Sequence, residues 1–381
     1  MRQTFTFAQE QPFELDCGAE LSPVTLAYET YGTLNQNGDN AILICHALTG
    51  DAHPSSHPGE NDPPGWWEGL LGPGAVLDTD RFFIVCSNVL GGCQGSTGPS
   101  SPHPVDGKPY GSRFPSITIF DMVRAQYRLV KSLGIRSLAM VLGGSMGGMQ
   151  TLAWACLYPE IVRVATIIGA PGQTEPQSIA YNEVMRQAIL LDPAYRGGDY
   201  YDGPAPNQGL AIARMLGMIT YQSNASMNRK FWRRRVDDTP AAQWRSDNLF
   251  AVETYLHYQG EKLVRRFDAN TYILLTRAMD LFDPGALFSS YNAALEQITA
   301  RVCVVGIDTD ILYPTYQQKE LVSRMQAVGV DASYHELSSP WGHDGFLIDL
   351  EPLGAIIAPY LPPPEKPARR GHSRRVKSSG K

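Results

Sequence analysis

The sequence predicts an α/β protein built on a mostly parallel, doubly wound sheet that carries a helical insertion. Apolar runs of strand length alternate with segments of helical periodicity along much of the chain. One run, Leu138 to Leu142, is unbroken, as a strand buried on both faces requires, and leads through Gly143-Gly144-Ser145-Met146-Gly147 into the helix-forming stretch Met149 to Ala155. From Gln173 to about Leu295 no buried strand is legible, until Val302 to Ile307 restores the pattern. The expected boundaries are a core over 1–171 and 297–361, a helical lid over 172–296 and a tail over 362–381.

Taken in order, Val24 to Thr30 alternates like an early antiparallel strand, and Ala41 to Cys45 reads as a central strand ending at the loop His46-Ala47-Leu48-Thr49-Gly50. Phe82 to Cys86 is a further strand, followed by a glycine-rich connection, Gly91 to Pro99. A helix over Ile119 to Leu133 precedes the strand that ends at Ser145, and Val164 to Ile168 is the strand after the next helix. Strand, tight turn and helix around G-x-S-x-G form the context in which a serine projects beyond a sheet as a nucleophile. Gly143 and Gly147 are small enough to clear the neighbouring strand and helix. The Met146 amide, at the helix N-terminus, is then one oxyanion donor, and the Leu48 amide occupies the usual place of the second.

At 381 residues the chain is long enough for a large core with an insertion. Six cysteines are scattered without a C-x-x-C, several in apolar runs, which favours reduced thiols and a cytoplasmic location. No charged-then-apolar leader precedes Cys17, and no apolar run has the length of a membrane span. The net charge of −6 hides a split, because the tail holds Lys366, Arg369, Arg370, Arg374, Arg375, Lys377 and Lys381 against Glu365 alone. The body is therefore more acidic than the whole, which argues against nucleic-acid binding by it. The tail, with Pro362-Pro363-Pro364 and few apolar residues, is expected to be disordered and solvated.

A nucleophilic serine needs a base and an orienting acid. The strand Val302 to Ile307 runs into Asp308-Thr309-Asp310, two carboxylates at the end of a strand where such sheets assemble their sites. Either can orient the histidine; Asp310 is preferred, since an acid a few residues past the strand has room to turn. The strand Ala332 to Leu337 leads to a loop holding His343, the better base, whereas His335 lies within the strand alternation. His46, His53 and His57 with Asp51, Glu60 and Asp62 cluster in sequence, but their spacing matches no usual zinc pattern and their proline-rich loop offers no helical presentation. No metal is expected.

His46 to Gly50, Asn88 to Cys93 with Gly95 to Pro99, Phe114-Pro115 with Asp121 to Val123, Gly143 to Gln150, Arg266 to Asn270 and Gly342-His343-Asp344 together resemble the homoserine O-acetyltransferases of the α/β-hydrolase superfamily. The resemblance runs from about residue 10 to residue 361 and excludes the basic tail. It implies an α/β-hydrolase fold with the chain order serine, acid, histidine, and a triad of Ser145, Asp310 and His343. It implies transfer of an acyl group from acyl-coenzyme A to the hydroxyl of L-homoserine in methionine biosynthesis, through an acyl-serine in a ping-pong cycle. Acetyl-CoA is then a co-substrate, no other cofactor is implied, and the chain is a homodimer through its lid helices.

The resemblance also places the acceptor carboxylate at Arg214 and its ammonium at Asp344. Members that use succinyl-CoA resemble one another in an arginine two residues after the catalytic aspartate; this chain has Leu312 there, which implies an acetyl donor. A serine O-acyltransferase, a succinyl-CoA-dependent transferase and an esterase or thioesterase share the triad and remain the alternatives. Arg214, Asp344 and the Arg266 to Asn270 segment argue against plain hydrolysis.

Overall fold

The computed structural model describes residues 2–57, 59 and 63–363. The tail from 364 onward, together with Glu60 and Asp62, lies outside the described residues. Twelve strands form among them: β1 (Gln3–Phe7), β2 (Phe13–Glu14), β3 (Glu20–Leu21), β4 (Val24–Tyr31), β5 (Ala41–Cys45), β6 (Leu71–Gly72), β7 (Leu77–Asp78), β8 (Phe83–Ser87), β9 (Leu138–Gly144), β10 (Val164–Ile168), β11 (Arg301–Ile307) and β12 (Ala332–Leu337). Eight make one sheet in the order β1-β4-β8-β5-β9-β10-β11-β12, and β2-β3 and β6-β7 are small separate pairs. β4 pairs antiparallel with β1 and β8, while every pair from β8 to β12 is parallel.

Side-chain alternation divides the core into two layers. Leu43, Cys45, Val85, Val141, Ile167 and Val304 face one side of the sheet, against Phe120, Met149, Leu152, Trp154 and Met325. These partners come from helices α1 (Ile119–Ser132), α2 (Met146–Leu157) and a later helix over 315–327. Ile42, Ile44, Ile84, Leu142, Ile168 and Val305 face the other side, against Trp67, Phe346, Leu353 and Ile357. Burial on both faces is why these strands are unbroken apolar runs. Helix α1 starts at a capping box in which the Thr118 hydroxyl accepts from the Asp121 amide and the Asp121 carboxylate accepts from the Thr118 amide.

Between β10 and β11 the chain forms helices, with one isolated β-bridge between Arg235 and Phe250. The principal ones are α3 (Pro176–Leu190), α4 (Asn207–Tyr221), α5 (Asn224–Lys230), α6 (Ala251–Val264) and α7 (Ala269–Asp280), with the short α8 (Tyr291–Leu295) before the sheet resumes. This insertion sits over the C-terminal ends of the strands, since Ser223 at its α4–α5 junction donates a hydrogen bond to the Pro340 carbonyl in the loop after β12. Strand order reverses between β5 and β9, so the loops leaving these two strands diverge and open the crevice in which such sheets place ligands.

The turn from β9 into α2 has no spare room. A Cβ on Gly143 would lie 2.5 Å from the Cys45 carbonyl oxygen, and one on Gly147 would overlap that same oxygen. Both obstacles are backbone and cannot rotate away. We expect Gly147→Ala to lower stability by at least about 1–3 kcal/mol, read as a shift of the urea unfolding midpoint; an unshifted midpoint would show that the turn has slack.

Candidate active site

Ser145 caps the N-terminus of α2 with φ 59° and ψ −124°, a conformation that L-residues rarely adopt. Its backbone is pinned on both sides. The Ser145 amide donates to the Ile168 carbonyl at 2.9 Å, and its carbonyl accepts from the Gly148 amide at 2.8 Å. A non-glycine residue at such a φ costs about 1–3 kcal/mol and persists only where the surroundings over-determine it. Here β9, β10 and α2 do so.

Asp310 and His343 meet across the ends of β11 and β12. His343 Nδ1 donates to Asp310 Oδ2 at 2.6 Å, and both residues are buried. The other carboxylate oxygen accepts from the Leu312 amide at 2.8 Å and the Tyr313 amide at 3.0 Å, which fixes the rotation of the group. Asp308 is taken up elsewhere: its carboxylate accepts from the Ser339 amide and the Ser338 hydroxyl, each at 2.9 Å, and ties the β12 loop to the end of β11. Burial opposes charge on His343, yet the Asp310 carboxylate outweighs it, so the imidazole is more basic than an ordinary histidine. With Nδ1 committed to Asp310, Nε2 is buried and has no hydrogen-bond partner among the described residues. Tyr313, Phe346 and Tyr221 pack their rings around the imidazole at 5.4, 5.5 and 5.9 Å between centroids. His335 takes no part, being bonded to the Tyr360 hydroxyl at 2.7 Å.

Leu48 and Met146 supply amides that, among the described residues, donate to no protein acceptor. The direction of the Leu48 amide is set by His46. His46 Nε2 accepts from the Val89 amide at 3.1 Å, which leaves the proton on Nδ1, and Nδ1 donates to the Ala47 carbonyl at 2.7 Å. Burial lowers the basicity of this ring and keeps it neutral. The Gly50 amide donates to the same carbonyl at 2.9 Å. Because the Ala47–Leu48 peptide is planar and trans, anchoring its C=O turns the Leu48 N–H the opposite way. Arg266 holds the carbonyl two residues on, that of Thr49, at 2.7 Å, and Gln150 of α2 donates to the His46 carbonyl at 3.2 Å.

The other two histidines of the sequence cluster lie apart from His46. His53 Nδ1 bonds Glu29 Oε2 at 2.8 Å and its Nε2 bonds the Pro63 carbonyl at 2.8 Å, so both ring nitrogens donate and the ring is a cation paired with a buried carboxylate. Burial works against that charge, but the two acceptors prevail and raise its pKa. Glu29, His53 and His57 would offer three ligand atoms within 4.8 Å of one another. A metal ligand must be unprotonated, so an ion there would have to displace the protons that these two hydrogen bonds favour.

A cavity of about 70 Å³ is lined by Ala47, Leu48, Thr49, Ser145, Arg214, Tyr221, His343, Asp344, Phe346 and Leu347. It thus brings together a serine hydroxyl, a buried imidazole, Leu48, one cation and one carboxylate. Asp344 accepts from Gln222 Nε2 at 2.7 Å, and burial raises its pKa against the pull of His343, Arg214, Gln222 and Lys230. The Arg214 guanidinium lies 5.6 Å from the centre of the Tyr221 ring. Tyr221 and Gln222 escaped the sequence reading, although Tyr221 stands seven residues after Arg214 and so shares its helix face, a usable signal. Leu312 is not among the lining residues. Its side chain is buried in the main apolar cluster, and only its amide reaches the triad.

The chain matches the alpha/beta hydrolase fold family over residues 40–347. It is 54% identical to the homoserine O-acetyltransferase of Symbiobacterium thermophilum, covering 92% of each chain. It is 51% identical to that of Carboxydothermus hydrogenoformans, covering 91% of this chain and 92% of the other. Among solved structures, the homoserine O-acetyltransferase from Bacillus anthracis superposes with a TM-score of 0.88 at 28% identity, covering 95% of this chain and 98% of that one. Esterase E22 superposes with a TM-score of 0.86 at 29% identity, covering 95% and 100%. No helix among the described residues is long and apolar enough to cross a membrane. The chain belongs to the homoserine O-acetyltransferase family of the α/β hydrolases.

Proposed function

We propose that the protein transfers an acetyl group from acetyl-CoA to the hydroxyl of L-homoserine, in two half-reactions at Ser145, as a step of methionine biosynthesis. The observation that carries this reading is the joint presence of Arg214 and Asp344 in the cavity that holds Ser145 and His343. An ester hydrolase needs no such pair, because water carries no charge. A zwitterionic amino acid needs both, and its ammonium would compensate the carboxylate that burial makes costly at Asp344. The esterase reading draws on esterase E22 at 29% identity, whereas the transferase reading draws on relatives above 50% over nearly the whole chain.

In the first half-reaction His343 Nε2 takes the Ser145 hydroxyl proton as Ser145 Oγ attacks the thioester carbonyl. The Leu48 and Met146 amides receive the developing oxyanion, and Asp310 stabilises the imidazolium. Collapse breaks the C–S bond, and His343 returns the proton to the leaving thiolate. Homoserine then enters, Arg214 pairs with its carboxylate and Asp344 with its ammonium. His343 takes the proton of the side-chain hydroxyl, which attacks the acetyl-serine, and Ser145 leaves with that proton restored.

The donor is acetyl-CoA, with no further cofactor. Arg214 is the one cation among the residues lining the cavity, so a succinyl carboxylate would compete with the acceptor for it. The lid supports a homodimer: Ile212 and Ile219, two helical turns apart on α4, and Tyr258 on α6 are each about half exposed. Free cysteines at all six positions fit a cytoplasmic enzyme.

Coenzyme A release from acetyl-CoA should depend on L-homoserine and be much slower with L-serine or with no acceptor, and kcat/KM should favour acetyl-CoA over succinyl-CoA. Equal release without acceptor would establish a thioesterase, and a succinyl preference would reverse the donor. Arg214→Lys should raise KM for homoserine at least tenfold, because lysine cannot reproduce a planar bidentate clamp. Acetylation of the enzyme in the absence of acceptor should persist in that variant, and an equal loss of it would remove Arg214 from the acceptor site.

A further inference from the structure

The end of α5 and the turn after it hold Arg229, Lys230, Arg233, Arg234 and Arg235, five cations in seven residues of an acidic chain. Their side chains engage aromatic faces and uncharged oxygens. Arg229 and Lys230 lie over the Trp341 indole at 5.4 and 4.9 Å, and Arg233 and Arg235 over Phe250 at 5.5 and 4.3 Å. Arg234 donates to the Lys230 and Phe231 carbonyls, and Arg235 to the Asn248 carbonyl at 2.8 Å. Among the described residues no carboxylate forms an ion pair with any of the five. The neighbouring acids are turned to backbone: Asp237 accepts from the Thr239 amide and Asp238 from the Arg235 amide.

In the middle of these cations stands Trp232, 70% exposed. Its φ of 46° puts a bulky residue in the left-handed region, a strained conformation of the kind that collects at functional positions. The segment also borders the reaction cavity. Trp341 is two residues before His343, and Lys230 Nζ donates to Gln222 Oε1 at 2.8 Å while Gln222 Nε2 holds Asp344. Burial lowers the basicity of Lys230, with Asp344 pulling the other way.

The cavity at Ser145, about 70 Å³, is far too small for a nucleotide. A donor that delivers its thioester to Ser145 must therefore leave its phosphorylated end outside, against the rim. We infer that the Arg229–Arg235 segment is the docking site for the adenosine phosphate end of the donor, with the phosphates on Arg229 and Arg233 and the base stacked on Trp232. Guanidinium groups with no carboxylate partner among the described residues supply the charge complement to phosphate, and an exposed indole supplies a face for a purine. The inference rests on the reading of coenzyme A thioesters as donors.

The test compares acetyl-CoA with acetyl-pantetheine, which keeps the thioester and lacks the nucleotide, at saturating homoserine. In the wild type, acetyl-CoA should have the lower KM by at least tenfold. Trp232→Ala, Arg229→Ala and Arg233→Ala combined should erase that advantage, leave kcat and the acetyl-pantetheine parameters in place, and weaken competitive inhibition by adenosine 3′,5′-bisphosphate by a similar factor. The single, exposed substitutions Trp232→Ala and Arg233→Glu, with melting curves, guard against a folding defect in the triple variant. Equal losses for both donors, or no change for either, would overturn the assignment. So would a loss accompanied by a smaller mass on gel filtration, which would make the segment a contact between copies. A wild type that accepts neither donor would refute the functional reading itself, and with it this one.

Discussion

The backbone of Ser145 is the constraint on which the rest of the site depends. At φ 59° the residue is held between the last turn of β9 and the first of α2, and Gly143 and Gly147 let both approach the Cys45 carbonyl. Cys45 also ends β5, and the loop that presents the Leu48 amide begins at the next residue. The tight turn therefore fixes the position of Ser145 relative to the Leu48 loop as well as the posture of the serine. Strain of about 1–3 kcal/mol is the cost, and the buried strands on either side supply the rigidity that sustains it.

Directionality comes from a set of hydrogen bonds in which each partner admits one arrangement. Two amides orient Asp310, Asp310 sets the tautomer of His343, and the remaining nitrogen of His343 is left buried without a hydrogen-bond partner among the described residues. His46 follows the same logic on the opposite wall, where the Val89 amide sets its tautomer and its Nδ1 orients the peptide that presents Leu48. Preorganisation of this kind means that little rearrangement accompanies the development of charge. The lid adds what the sheet lacks: a cation at Arg214, an aromatic face at Tyr221, and Gln222 to hold Asp344.

Much of this was legible in the sequence where burial imposes a pattern. β5 and β10 have the bounds expected from their residues, because a strand buried on both faces is an unbroken apolar run; β12, buried only at its two ends, also has the expected bounds. β1 left no such trace, being an edge strand with mostly exposed side chains. Asp308 and Asp310 follow the same strand and differ only in which way the turn aims them, which residue order does not encode. Proximity in sequence does not make the histidines one site: His46 lies at a strand end and His53 beyond the next turn. Gln222 carries no motif, and its role follows only from where the insertion meets the β12 loop.

The central claim is that Asp310, through His343, activates Ser145 for acylation by a coenzyme A thioester. The most direct measurement is the burst of coenzyme A released on rapid mixing of the enzyme with acetyl-CoA in the absence of acceptor, with the acetylated residue located by peptide mass spectrometry. The account predicts one acetyl group per active site, on Ser145, formed orders of magnitude more slowly in Asp310→Asn and at a nearly normal rate in a folded Asp308→Asn variant. A normal burst in Asp310→Asn, or an acetyl group on any residue other than Ser145, would contradict it.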